Sequence, residues 1–206
     1  MRFGRALSKM ERLIIVGASG HGKVIADIAM RNGYTDIVFL DDNPALRECA
    51  GFSVVGKTAD VAKLDGDKIV AIGNPEIRER IQDTIHPVTL VHPDAAISRR
   101  VTLGEGTVVM AGAVVNSDAV IGRGCIINTG ASVDHDCKLS DFVHVSVGAH
   151  VAGTCRIGQR TWIGAGATVS NNIVICGDCM IGAGSVVVRD IVESGTYVGC
   201  PAKKIK

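Results

Sequence analysis

Two short segments of this 206-residue chain carry side chains whose types and spacing suit chemistry. In Val133-Asp134-His135-Asp136-Cys137 a single imidazole stands between two carboxylates. An acid partner raises the basicity of an imidazole and fixes its tautomer. That is what a general base needs, and a His with a pKa near neutrality is matched to the attack of an amine or hydroxyl on a thioester. The plainer alternative is a solvated turn histidine. The second segment, Gly17-Ala18-Ser19-Gly20-His21-Gly22-Lys23, follows the apolar run 13–16 and precedes a helical pattern from 24 to about 32. Glycines between a strand and a helix let backbone N–H groups approach a pyrophosphate at the helix N-terminus, and His21 could donate to phosphate or sugar oxygens. The alternative here is a tight turn that merely connects the two elements.

The elements around the glycine turn form a Rossmann-like βαβ pattern. A strand at 37–40 ends in Asp41-Asp42, and a third strand at 68–72 runs through Gly73-Asn74-Pro75 into a charged helix at 76–84. Three ligand classes compete. A nucleoside triphosphate site lacks its magnesium-binding hydroxyl, because Val24 follows Lys23 where Ser or Thr is required. A nicotinamide site has acids about 20 residues past the glycines, but its glycine spacing is wrong and no catalytic domain is left over. A nucleotide-sugar site, with the pyrophosphate on the glycine turn and the acids near the nucleoside, needs no missing parts. Arg78 could reach a substrate phosphate or simply be a solvated helix residue.

From Ile97 to Val187 an aliphatic residue recurs at every sixth position, through Leu103, Val109, Val115 and onward without a slip of phase. Four positions after each stands a mostly small residue, including Cys125, Cys137, Cys155 and Cys179. Neither a helix nor an amphipathic strand has period six. A hexapeptide β-helix does, with three hexads per coil and residues 18 apart stacked, for about five coils. Those cysteines then act as compact hydrophobes rather than reactive thiols. His144, nine residues after His135, falls half a coil away and on another side of the prism. The two can cooperate only across a subunit interface, which hints at an oligomer. His86 and His92 look like surface linker residues, and His150 like an interfacial or exposed one.

Composition narrows the classes. Lys plus Arg total 22 against 21 Asp plus Glu, a formal net charge of +1, which argues against nucleic acid or another polyanion as partner. Aromatics are 3% and glycines number 25, unlike a base-stacking platform or a large-residue helical bundle. The apolar runs fall far short of the ~20 residues of a transmembrane helix. Seven cysteines, an odd number with no Cys-x-x-Cys pair close to a His cluster, read as a reducing, cytoplasmic setting. Residues 1–9 lack the apolar stretch of a secretory signal and read as a leader or alternative start. A Rossmann-like α/β domain over 10–91 and a parallel β-helix over 92–206 complete the expected organisation.

Gly17-Ala18-Ser19-Gly20-His21-Gly22, Phe39-Leu40-Asp41-Asp42, Ala71-Ile72-Gly73-Asn74, Val133-Asp134-His135-Asp136-Cys137 and Gly199-Cys200-Pro201-Ala202-Lys203 together resemble the bacterial sialic-acid O-acetyltransferase-related family of hexapeptide acyltransferases. The likeness runs from about Met10 to Lys206 and is strongest to the UDP-4-amino-sugar N-acetyltransferases of the bacillosamine pathway, which serve protein glycosylation. It implies a left-handed β-helix, a homotrimer with active sites between subunits, and two substrates, acetyl-CoA and a UDP-amino sugar, with no metal. It also implies His135 as base, assisted by Asp136 at a position usually held by Glu. Ser19, Gly20, His21, Asp41, Asp42 and Gly73 match nucleotide-sugar contacts. His144, Ala165 and Ala183 match acetyl-CoA contacts, the alanines through backbone atoms, and Lys203 is a looser match to a coenzyme A phosphate contact. Sialic-acid O-acetylation, N-acetylation of a GDP-linked amino sugar, and a non-catalytic trimeric scaffold that binds nucleotide sugars stand as alternatives.

Overall fold

The computed structural model describes residues 12–206, so the expected leader at 1–9 lies outside the described residues. The chain divides into two compact units, the first ending at Pro93 and the second running from Asp94 to Lys206.

The first unit is an α/β layer structure. Its strands β1 (Arg12–Val16), β2 (Asp36–Leu40), β3 (Glu48–Cys49), β4 (Phe52–Gly56) and β5 (Asp67–Val70) lie in the order β3-β4-β2-β1-β5. All neighbours are parallel except the β3–β4 hairpin. Leu13 to Val16 are fully buried because β1 has a strand on each side and apolar side chains on both faces, the signature of a central parallel strand. One of those faces packs Ile14 and Val16 with Leu40, Val61, Val70 and Ile81.

Helix α1 (Gly20–Arg31) begins four residues before the expected 24. Glycine is a poor helix former, which moves a reading from propensity toward Val24. Tertiary packing overrides it: a Cβ at Gly22 would collide with the Gly17 carbonyl oxygen, so glycine is what lets the first helical turn lie against the end of β1. Asn32 closes the other end, its Nδ2 donating to the Ile28 carbonyl at 2.8 Å. Strand β5 stops at Val70 rather than 72, because the Ile72 and Gly73 carbonyls each accept from Arg78 Nη1 at 2.8 Å and turn the chain into helix α2 (Pro75–Gln82). Asn74 caps α2 by accepting from the Ile77 N–H at 2.9 Å. The sequence pattern does not announce the β3–β4 hairpin, which turns at Ala50 and Gly51 with φ of 52° and 80°, or the 3-10 segment Thr58–Lys63: β3 has two residues, the Val54-Val55 pair breaks any alternation in β4, and the 3-10 segment is too short to show a period.

The second unit is a parallel β-helix. Two-residue strands pair at 18-residue intervals on three faces. Val114, Ser132, His150, Thr168 and Val186 align on one; Val120, Lys138, Arg156 and Val174 on the next; and Ile126, His144, Trp162 and Met180 on the third. The hexad aliphatics from Val109 to Val187 fill the interior and are buried, while Ile97 and Leu103, at the start of the stack, are half-buried. Each coil turns three corners through the left-handed region, at residues such as Asp136, Phe142 and Gly148 with φ near 60°. Buried hydroxyls are satisfied inside the prism: Thr107 Oγ1 donates to the Gly122 carbonyl at 2.8 Å and Thr161 Oγ1 to the Cys176 carbonyl at 2.9 Å. Cys137 and Cys155 donate to the Ala152 and Ser170 carbonyls at 3.1 and 3.0 Å, and burial pushes the Cys179 thiol up to about 12. The stack ends in Gly195–Val198, parallel to Cys179–Ile181, with Lys203–Lys204 antiparallel outside it.

No helix among the described residues is long and apolar enough to cross a membrane. Ile163 is fully enclosed between neighbouring coils, so Ile163→Ala should destabilise the fold by about 2–5 kcal/mol. Denaturant unfolding monitored by circular dichroism should show the midpoint falling accordingly.

Candidate active site

At the end of β1 the chain turns at Gly17, with φ +108°. A Cβ there would lie 2.8 Å from the Ala71 carbonyl oxygen, so the loops after β1 and β5 run against each other. The sheet continues through β2 on one side of β1 and ends in β5 on the other, and the crevice at such a switch point is where open α/β sheets take ligands. Asp41 holds the turn: its Oδ2 accepts from the Ala18 N–H at 2.8 Å and its Oδ1 from the Asn43 N–H at 2.9 Å. Ser19 is extended and makes no side-chain cap. The first N–H groups of α1, which have no intrahelical acceptor, are therefore not capped by the serine, and beside exposed Gly20 the Cβ position is open space. Together with the helix dipole this suits an anion.

Asp42 has a separate task. Its Oδ1 accepts from the Thr58 N–H at 3.0 Å, and it borders a cavity of about 490 Å³ with Thr58, Arg80 and Thr84. His21 is mostly buried. Burial first, and the nearby Arg78 charge second, lower its pKa to about 4, so the ring is neutral at pH 7. Its Nε2 is buried with no hydrogen-bond partner among the described residues, an imidazole nitrogen available to a ligand's polar group. Arg78 is neither solvated nor free to reach outward. It is 1% exposed, and its guanidinium is committed to the Ile72 and Gly73 carbonyls. Gly73, expected to touch the sugar nucleotide, thus has its carbonyl engaged from within.

In the second unit His135 sits at the corner between the strands Ser132–Val133 and Lys138–Leu139. Asp136 occupies the left-handed corner position, φ 59°, and its N–H is tied to the Ser117 carbonyl at 3.0 Å. From there its Oδ2 meets His135 Nδ1 at 2.8 Å. This hydrogen bond is the main reason the imidazole is held above its ordinary pKa. With Nδ1–H donated to Asp136, Nε2 is the proton acceptor. The other flanking acid does different work: Asp134 Oδ1 accepts from Asn116 Nδ2 and from the His135 N–H, each at 2.8 Å, and the first of these bonds leads in holding its carboxyl below the usual range. Of the two acids only Asp136 partners the ring. Asn116, which braces the corner from one coil earlier, was not singled out from the sequence, and nothing but its 18-residue spacing from Asp134 marks it.

His144 lies on a different face. It is 7% exposed, its Nε2 is 3.1 Å from Asn128 Nδ2, and its ring is 4.3 Å centroid to centroid from Trp162. Ala165 and Ala183 are both exposed and stack one coil apart on the corner that follows that face, where the Gly184 N–H donates to the Ala165 carbonyl at 2.8 Å. The same corner carries Gly112, Gly130, Gly148, Gly166 and Gly184 in the left-handed region, an 18-residue glycine repeat legible in the sequence, each glycine preceded by a small or β-branched residue, Ala111, Thr129, Val147, Ala165 and Ala183. The structure thus gathers His135 and Asp136 on one edge of the prism, and Ala165 and Ala183 on another across the Ser132 face. Among the described residues no group of three or more His, Cys, Asp or Glu is arranged to hold a metal ion.

Comparison with known proteins matches residues 12–85 to the PglD N-terminal domain, and 100–135 and 154–189 to the bacterial transferase hexapeptide family. The acetyltransferase domain of PglB from Neisseria gonorrhoeae FA1090, solved with acetyl coenzyme A, is 42% identical, covering 95% of this chain and 99% of that one with a TM-score of 0.91. PerB from Caulobacter crescentus, solved with CoA and GDP-perosamine, is 37% identical over 96% and 99% of the two chains, with a TM-score of 0.90. UDP-N-acetylbacillosamine N-acetyltransferase of Bacillus subtilis (strain 168) is 37% identical over 110 residues, 48% of this chain. The match spans about half of that curated relative, 51% of its length.

The buried neutral His21 has a stability consequence. Its folded pKa of about 4 lies below the ordinary 6.5, so the unfolded chain takes up the proton first as pH falls. Stability is complete above pH 6.5 and should drop between 6.5 and about 4 by up to about 3 kcal/mol. In His21→Gln this part of the acid dependence should vanish, as read from urea midpoints at successive pH values.

Proposed function

The chain belongs to the family of hexapeptide-repeat acetyltransferases that carry a PglD-type N-terminal domain, and on that premise we propose that it moves the acetyl group of acetyl-CoA onto the 4-amino group of a UDP-linked 4-amino-4,6-dideoxy sugar, a bacillosamine-type glycan precursor. The observation that carries the reading is the exposed His135 imidazole with Nδ1 held by Asp136 and Nε2 left as base. In the reaction the sugar amine attacks the thioester carbonyl, Nε2 takes the amine proton, the C–N bond forms, the C–S bond breaks, and the proton passes to the departing thiolate. Backbone N–H groups at the site stabilise the oxyanion. The nucleotide pyrophosphate rests on the Gly17–Gly20 turn at the start of α1, with His21 Nε2 and the Asp42 cavity near the rest of the nucleotide sugar. Coenzyme A lies along the edge that carries Ala165 and Ala183, beside His144. A cytoplasmic setting is part of the proposal, supported by the acetyl-CoA donor and by the odd number of cysteines, seven in all.

A GDP-linked amino sugar is the second reading, favoured by the GDP-perosamine in the PerB structure. Thiol release from acetyl-CoA against a panel of UDP- and GDP-linked 4-amino sugars separates the two. The homotrimer is part of the proposal for a geometric reason: the base and the coenzyme edge lie on different prism edges, and neighbouring prisms around a threefold axis bring one of each together.

Two outcomes test this. Protonated His135 is inactive and Asp136 favours the protonated form, so kcat/KM should rise with pH through a midpoint above the ordinary imidazole value of 6.5. Asp136→Asn should lower that midpoint, and His135→Ala should cut the rate by about 10²–10⁴-fold; a pH-independent chemical step would remove His135 from the role. Mixing inactive His135→Ala subunits with groove-blocked Ala165→Trp subunits should restore part of the activity in mixed trimers. No recovery would mean that base and groove come from the same chain.

A further inference from the structure

Gly153 stands one coil above His135, at a corner whose other coils carry Ser117 and Asn171. The corner therefore does not demand glycine. Gly153 is absent from the residues in the left-handed region; that conformation falls to Thr154, with φ 62°. At the corresponding place on the other two edges stand residues such as Thr129, Asp141, Val147 and Gln159. Backbone geometry gives no reason for glycine at 153, and the neighbouring ring does: a Cβ built there would lie 2.7 Å from His135 Nε2, 2.8 Å from Cε1 and 3.2 Å from Cδ2. The coil cannot withdraw to relieve such a clash. The Thr154 N–H is bonded to the His135 carbonyl at 2.9 Å, the Asn172 N–H to the Gly153 carbonyl at 3.0 Å, and the Ala152 N–H to the Val169 carbonyl at 3.0 Å. The ring itself must move, while Asp136 stays fixed at its corner.

We propose that Gly153 is a positioning residue for His135: the missing side chain lets the imidazole lie over the next coil with Nδ1 on Asp136 and Nε2 beside the Gly153 backbone. This rests on the reading of His135 as the base. Any Cβ at 153 pushes the ring off, lengthens the Nδ1–Asp136 bond and misplaces the acceptor nitrogen. A displacement of about 1 Å at a reacting group costs on the order of 10²-fold in rate.

The test is Gly153→Ala, read in three ways. Nuclear magnetic resonance titration of the His135 ring should show its pKa moving down toward that of a free imidazole, as in Asp136→Asn. The midpoint of the kcat/KM profile should move with it, and the plateau should fall about 10²-fold. Thermal unfolding of a double-mutant cycle should show Gly153→Ala lowering the melting temperature in wild type but not in His135→Ala, where the clashing ring is gone. An unchanged His135 titration, or an equal thermal cost in both backgrounds, would overturn the proposal. If Gly153→Ala does not fold, recovery of folding in the double variant upholds the clash and continued failure refutes it. A wild type without transferase activity would sink the functional reading alone, because the titration and the thermal cycle still decide what Gly153 does to the ring.

Discussion

The second unit depends on a backbone that enters the left-handed region once in every six residues and meets itself again after 18. Three such corners close each coil, and every two-residue strand in the interior of the stack finds a parallel partner above and below. With the backbone bonds committed in this way, one aliphatic and one small side chain per hexad are left to fill the interior. Left-handed corners are costly for most residues, yet Asp, Asn, Thr, Arg and even Phe142 accept them here. The stack over-determines each corner, and Asp136 gains its place beside the imidazole from that constraint. Its carboxylate is aimed by a conformation the fold requires for closing the prism, not by a loop shaped around the site.

The first unit arranges its site by a different means, a set of internal braces. Asp41 clamps the glycine turn by accepting the Ala18 N–H, Arg78 holds the loop after β5 through two carbonyls, and Gly22 lets α1 start close behind β1. Charged residues that sequence alone would offer to a ligand are thus partly consumed in shaping the surface. On the proposed reading, what remains for a ligand is the backbone N–H groups at the start of α1 and the neutral imidazole of His21, while Asp42 already holds the Thr58 N–H with one of its oxygens.

These two modes explain what was legible in the sequence. The β-helix could be read from residue types because its rule is periodic and each position repeats: the aliphatic column from Val109 to Val187 is buried throughout, as are the cysteines of the small column. The His135 corner was legible for the same reason, since adjacent residues at a tight turn must be neighbours in space. Helix α1 starts earlier than its apolar period suggests because propensity penalises Gly20 and Gly22, while packing against the Gly17 carbonyl selects Gly22. The inward commitment of Arg78 was invisible because its partners are carbonyls, which leave no trace in residue identity. Asn116 leaves no local signal because its partner lies a full coil away, and the β3–β4 hairpin leaves little because β3 has two residues and the Val54-Val55 pair breaks any alternation in β4.

The glycine edge has the character of a graduated scale. Gly112, Gly130, Gly148, Gly166 and Gly184 follow one another at a rung of parallel sheet, about 4.8 Å per step, so the five positions span about 19 Å. Each division offers the same backbone outline with little side chain to blur it. A thin, flexible molecule laid along this edge meets the same backbone outline at every rung, interrupted only by the side chain before each glycine, Ala111, Thr129, Val147, Ala165 and Ala183 in turn, and by the cap at the end of the stack. Adding or removing one whole coil would leave every rung unchanged and alter the distance between those interruptions by a single division. Length along the prism is therefore a property this architecture can change in integer steps, independently of the corner that holds His135.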